Sequence, residues 1–141
     1  MPVRPEVWRR TQGVRSRSAS SSPSWPALAL AGFMLLAGSA HFVAPRAYER
    51  IVPRFVGSPA LWVRTTGVAE ILCAGLLIGR RTRRVGALAT VAVLVVVFPA
   101  NVQMAIDGGI PSYGFPLGSP VVAWARLPLQ VPLVIWAWRA R

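Results

Sequence analysis

The sequence predicts an all-α fold, a polytopic membrane four-helix bundle behind a disordered N-terminal tail. Three observations carry that expectation. Four apolar stretches are each long enough to cross a bilayer, since about twenty helical residues at ~1.5 Å each span roughly 30 Å. Only 14% of the 141 residues are charged while 54% are hydrophobic, and the mean hydropathy is +0.50, values that belong to the membrane class. None of the stretches alternates with period 2, and each is too long for a strand.

Residues 1–24 are polar, with Arg4, Arg9, Arg10, Arg15 and Arg17 ahead of a Ser-rich run. They lack the apolar residues a core requires and read as a disordered Arg/Ser-rich cytoplasmic tail. Residues 25–141 form the membrane domain, with spans expected at 25–42, 60–79, 86–106 and 120–138. The tail carries five arginines, the 80–84 turn four, and the C-terminus Arg139 and Arg141, whereas the connection after the third span carries Asp107 and no basic residue. By the positive-inside rule both termini and the Arg-rich turn are cytoplasmic. Arg46, Arg50 and Arg54 in the outward 43–59 connection weaken that asymmetry without reversing it. The expected location is a bacterial cytoplasmic (inner) membrane, crossed in multiple passes. A competing reading takes the tail, the apolar run 27–37 and Gly38-Ser39-Ala40 as a signal peptide cleaved after Ala40.

Composition also excludes function classes. The formal net charge of +12 would point to nucleic acid in a soluble chain, but here the arginines flank apolar spans, and no nucleic-acid partner is expected. Cys73 is the sole cysteine and His41 the sole histidine. An intrachain disulfide, a cysteine metal cluster and haem held by two histidines of one chain are therefore excluded, and no metal is expected. Nucleophile elbows and phosphate-binding glycine loops are absent from the sequence.

The candidate site lies where polar residues enter the spans. Glu70 falls near the middle of the second, where an ionised carboxylate costs a few kcal/mol and normally has a partner. Thr66, Gly67, Cys73 and Ala74 share its helical face, and small residues mark the packing side of a membrane helix. His41, Arg64, Asn101, Gln103, Arg126 and Gln130 are all expected in the same leaflet as Glu70's outer side. Arg126 and Gln130, four apart, share a face. His41, Glu70, Asn101, Gln103, Arg126 and Gln130 are the predicted ligand-binding residues. The plainer reading makes Glu70 and Arg126 a structural ion pair. Trp62, Trp124, Trp136 and Trp138 read as an interfacial belt rather than stacking platforms. Gly75 and Gly79 form a weak G-x-x-x-G that would permit close helix approach.

Four short motifs, in order, add a resemblance. Gly38-Ser39-Ala40-His41-Phe42 with Pro45, Tyr48 and Ile51-Val52-Pro53 is similar to the first helix and loop of small DoxX-like membrane proteins. The likeness continues through Gly67-Val68-Ala69-Glu70, the run from Phe98 to Ala105, and Arg126-Leu127-Pro128-Leu129-Gln130. It implies a four-helix membrane fold and an accessory subunit of a redox or oxidative-stress system, without catalytic activity of its own. On that reading the pocket would hold a quinone-like or other small amphipathic ligand, a quinone being the candidate cofactor. Candidate partners are the lipid bilayer, redox proteins and further copies of the chain. An alternative from the intramembrane Glu, Arg and Asn is a small oligomeric transporter or proton-linked permeation unit. An acid/base isomerase is disfavoured, because Glu70 has only His41 as a titrating partner, expected more than a turn away in depth. The intact mass of membrane-extracted protein is expected to include residues 1–40; a mass lacking them would establish cleavage after Ala40.

Overall fold

The computed structural model describes residues 24–141; the expectation of a disordered tail falls on residues 1–23, outside them. Among the described residues the chain is helical without strands, in the order α1 (Trp25–Val43), α2 (Pro45–Arg50), α3 (Pro59–Ile78), α4 (Arg83–Ile106) and α5 (Pro120–Arg139). The long helices α1, α3, α4 and α5 are each long and apolar enough to cross a membrane. Their expected positions hold within a few residues, and the largest difference is that α4 begins inside the Arg-rich turn at Arg83.

Local chemistry sets the starts. Ser58 precedes Pro59 and its side chain accepts from the Leu61 N–H; Ser119 precedes Pro120 and accepts from the Val122 N–H. A serine cap followed by proline uses an orphan donor and a residue that has none. Pro99 lies inside α4, and Pro128 and Pro132 inside α5, yet both helices run through. Each proline removes one ladder donor, which in hydrocarbon must be compensated by neighbouring groups.

α3 packs against α1 on one side and α4 on the other, α5 packs against α4, and α5 touches α1 only slightly. Close packing rests on glycines other than the predicted pair. A Cβ on Gly38 would sit 2.7 Å from the Gly67 carbonyl oxygen, and one on Gly67 would sit 2.9 Å from the His41 Cβ. Gly86 fits likewise against the α3 backbone at Leu76 and Leu77. Gly75 instead faces open space, and Gly79 lies beyond the end of α3. The G-x-x-x-G therefore does not join helices here: the helical spacing was right but its face points outward.

Two apolar clusters divide the bundle along its length. Toward the termini, Ala27, Leu30, Met34, Cys73, Leu77, Ala87 and Ala137 form a closed core, and the Trp136 Nε1–H donates to the Pro26 carbonyl, 3.1 Å, fastening α5 to α1. At the opposite end Ala47, Ile51, Met104, Ala105, Ile110 and Ala123 form a cap. The 43–59 connection, expected as a loop, supplies α2 to that cap. Arg50 of α2 donates to the Ser112 hydroxyl and lies 5.7 Å from the Tyr113 ring centroid, tying the two connections at this end together.

The glycine geometry yields a paired expectation. Gly67→Ala should destabilise the bundle by about 1–3 kcal/mol through overpacking. Gly75→Ala should be neutral or stabilise by up to about 1 kcal/mol through helix propensity. Mixed-micelle denaturation followed by circular dichroism would compare them.

Candidate functional site

Between the core and the cap lies a cavity of about 120 Å³. α1 contributes Phe33, Met34, Ala37 and His41; α3 contributes Trp62, Val63, Thr66 and Glu70; α4 contributes Leu94, Val97, Ala100 and Asn101. Tyr48 of α2, Ile51 and Val52 cover it, and Arg126 enters from α5. Its polar groups lie at the α2 end and its apolar groups deeper toward the middle of the bundle.

The Gly38–Gly67 contact brings the last turns of α1 against α3, and this aims His41. Its Nδ1 lies 3.2 Å from the Val63 carbonyl and 3.3 Å from the Thr66 hydroxyl. That hydroxyl in turn donates to the Trp62 carbonyl, 2.9 Å away. A carbonyl only accepts, so Nδ1 carries the proton in this bond and the neutral ring leaves Nε2 as an acceptor. Nε2 lies 3.9 Å from Glu70 Oε2. The Tyr48 ring sits 4.2 Å from the His41 ring, centroid to centroid, tilted by 55°. Burial pushes the Tyr48 hydroxyl above the usual phenol range; the nearby Arg126 charge acts against that shift and the Glu70 carboxylate adds to it. Tyr48 thus stays a neutral donor at any physiological pH.

Glu70 is only 6% exposed, and its Oε2 is buried without a hydrogen-bond partner. Orphaned buried oxygens are rare and each asks for an explanation. Here the oxygen belongs to a residue lining a void.

The predicted site residues separate on inspection. His41, Glu70, Asn101 and Arg126 all line the cavity. Gln130 lies behind it: the Asn101 amide donates to Gln130 Oε1, 2.9 Å, and the Gln130 amide donates to the Leu94 carbonyl. Leu94 precedes Val95, whose carbonyl is the one that Pro99 leaves without its ladder donor. Gln103 points elsewhere, its amide donating to Asp107 Oδ1 at 2.9 Å in an exposed contact one turn along α4. Arg64 is exposed on the outer side of α3.

One expectation about pairing needs correction. Glu70 and Arg126 do not form an ion pair; Arg126 Nη1 meets the Met104 thioether at 3.4 Å instead, a weak acceptor that leaves most of the guanidinium donors for the cavity. His41 and Glu70 lie one turn on either side of the Gly38–Gly67 contact, and their side chains still reach each other, Nε2 to Oε2 at 3.9 Å. Trp62 also lines the cavity rather than serving solely as an interfacial belt. By contrast Trp25, Trp124 and Trp138 are exposed.

Tyr48, Thr66 and Met104 are site residues that sequence reasoning did not select. Pro45 at the first position of α2 was the available signal for a helix that would turn Tyr48 inward. Among the described residues no cluster of His, Cys, Asp and Glu is arranged to hold a metal.

Residues 30–141 match a family described as a domain of unknown function, DUF8561, and the chain belongs to that family. Comparison with curated proteins and with solved structures found no match.

The Gln130 bridge gives a stability contrast. Gln130→Leu strands the Asn101 amide and should cost about 1–3 kcal/mol. Gln103→Leu, losing an exposed contact, should stay within about 0.5 kcal/mol. Thermal unfolding in one detergent would compare the two.

Proposed function

We propose that this multi-pass membrane protein binds a small amphipathic ligand, with a quinone-like ring as the leading candidate. It would act as a non-catalytic accessory subunit of a redox or oxidative-stress system in a bacterial cytoplasmic membrane, with both termini cytoplasmic. The observation that carries the reading is a ring-sized void meeting a charged donor, a neutral phenol, and a buried carboxylate oxygen without a partner. An engineered apolar cavity of about 150 Å³ takes up benzene, so about 120 Å³ suits a single ring. Arg126 and Tyr48 are suited to donate to ring oxygens, and a charged donor in a water-poor site contributes most. The orphaned Glu70 Oε2 and the bare His41 Nε2 are suited to receive a hydroxyl proton from the reduced ring. The resemblance to DoxX-like proteins supports the same class of ligand and the redox setting.

A conduit through one copy of the chain is not favoured. Below Met34 the core formed by Leu30, Leu77, Ala87 and Ala137 closes the bundle, so the cavity ends blindly within it.

Mass spectrometry of organic extracts from purified protein is expected to find a retained quinone. Binding of an added benzoquinone should weaken by about ten- to hundredfold in Arg126→Leu, the loss of a charge-assisted hydrogen bond worth about 1.5–3 kcal/mol. Glu70→Gln should weaken binding of the reduced ring more than of the oxidised one. Gln103→Leu should bind as the natural chain does. Equal binding by all four proteins would remove the assignment.

A further inference from the structure

The way into the cavity follows from how α5 sits against α1. The two helices are fastened at the terminal end by Trp136 and Pro26 and otherwise barely touch. Pro26 and Phe33 are seven residues apart, two helical turns, so they lie on the same stripe of α1 about 10 Å from each other. At Pro26 that stripe is covered by α5. At Phe33 it is not: Phe33 is 40% exposed although it lines the cavity, while the adjacent Met34 is fully buried. Phe33 is the exposed member of the cavity wall among the described residues. It therefore separates the void from whatever surrounds the bundle, and at this depth of an apolar span the surroundings are hydrocarbon.

The α5 wall beside this seam is built to yield. Between Arg126 and Trp136 it carries Pro128 and Pro132, each missing a ladder hydrogen bond. The cavity also has a direction. Phe33, Ala37, Leu94 and Val97 line its deeper part; His41, Tyr48, Asn101 and Arg126 line the part nearest α2. A molecule filling it would orient as a lipid does, polar head toward the bundle end and apolar part toward the bilayer centre. The void of about 120 Å³ has no room for a chain beyond one ring, so any chain must leave through the wall.

We propose that the cavity is loaded sideways from the bilayer through the seam between α1 and α5, with Phe33 as its door, and that its ligand carries an apolar chain left lying in that seam. This rests on the ligand-binding reading above and adds the route of entry and the residue that governs it.

The test uses the full chain in lipid nanodiscs, stopped-flow quenching of tryptophan emission, and two probes: a decyl-substituted benzoquinone and the same ring bearing a methyl group. For the decyl probe, the association rate is expected to follow its mole fraction in the lipid rather than its concentration in water. Phe33→Ala should speed its association by about fivefold and Phe33→Trp should slow it by a similar factor, as expected when binding waits on a moving wall. Phe33 also lines the cavity, so equilibrium binding of the methyl probe is measured alongside, and the change in the decyl probe's association rate is expected to exceed any change in that affinity. Phe33 faces lipid, so both variants should fold; retained far-UV circular dichroism checks this. Binding of both probes at rates set by aqueous concentration, unchanged in both variants, overturns the side entry and leaves the binding site standing. Failure of the natural chain to bind either probe overturns the binding site itself, and the side entry with it.

Discussion

The contact between Gly38 and Gly67 is the constraint on which the site depends. With no Cβ on either residue, α1 and α3 meet backbone to backbone; a methyl group on Gly38 would stand 2.7 Å from a carbonyl oxygen. In a bilayer, where lipid tails are as apolar as leucine, such small-residue packing is a main source of helix association. Its consequence is chemical as well as structural. His41 lies one turn past Gly38, and Glu70 lies one turn past Gly67, running the other way. Bringing the glycines together thus brings the imidazole over the Val63 and Thr66 groups that hold Nδ1, and turns Nε2 toward the carboxylate. Separating the helices by a single methyl would undo both arrangements.

Glu70 then poses a problem that the bundle solves only in part. An ionised carboxylate in the middle of a span is costly, and the simplest remedy would be a direct arginine bond. Arg126 is aimed at the same cavity but rests on the Met104 sulfur, which offers little to a guanidinium. Neither group is satisfied by the other, although both face one void. Such an arrangement is wasteful as pure scaffolding, because a direct pair would stabilise the bundle more. It is reasonable for a site in which a guest completes the hydrogen bonding.

The four spans were legible because bilayer thickness and hydrophobic content are properties of sequence windows, insensitive to partner geometry. The buried face of α3 was legible too: Thr66, Gly67, Glu70, Cys73 and Ala74 are all buried, as their helical spacing requires. What the sequence could not give was distance across helices. Arg126 and Glu70 share a leaflet and opposite charge, which invites pairing, but their separation depends on the rotation of α5, and that is set by the Asn101–Gln130–Leu94 bridge. Gln103 sits two residues from Asn101, and positions two apart on a helix point in nearly opposite directions. It therefore faces Asp107 while Asn101 faces the cavity. The G-x-x-x-G misled for a related reason, since spacing defines a stripe without saying which neighbour covers it.

The least legible part, the 43–59 connection, is also the one that turns an open bundle end into a compartment. Without α2 the polar residues of α1, α3 and α4 would open directly to the solution beyond the membrane, where water would satisfy Glu70 and screen Arg126. With Ala47 and Ile51 packed on Met104, Ala105 and Ile110, and Arg50 fastened to Ser112, that end is covered by apolar residues and by the Tyr48 ring. A wall that excludes water from one side makes every hydrogen bond inside it stronger and every missing one more costly. The chain thus covers its void with α2 at one end and with the apolar core at the other, and the exposed part of the cavity wall, Phe33, lies on the side of the bundle.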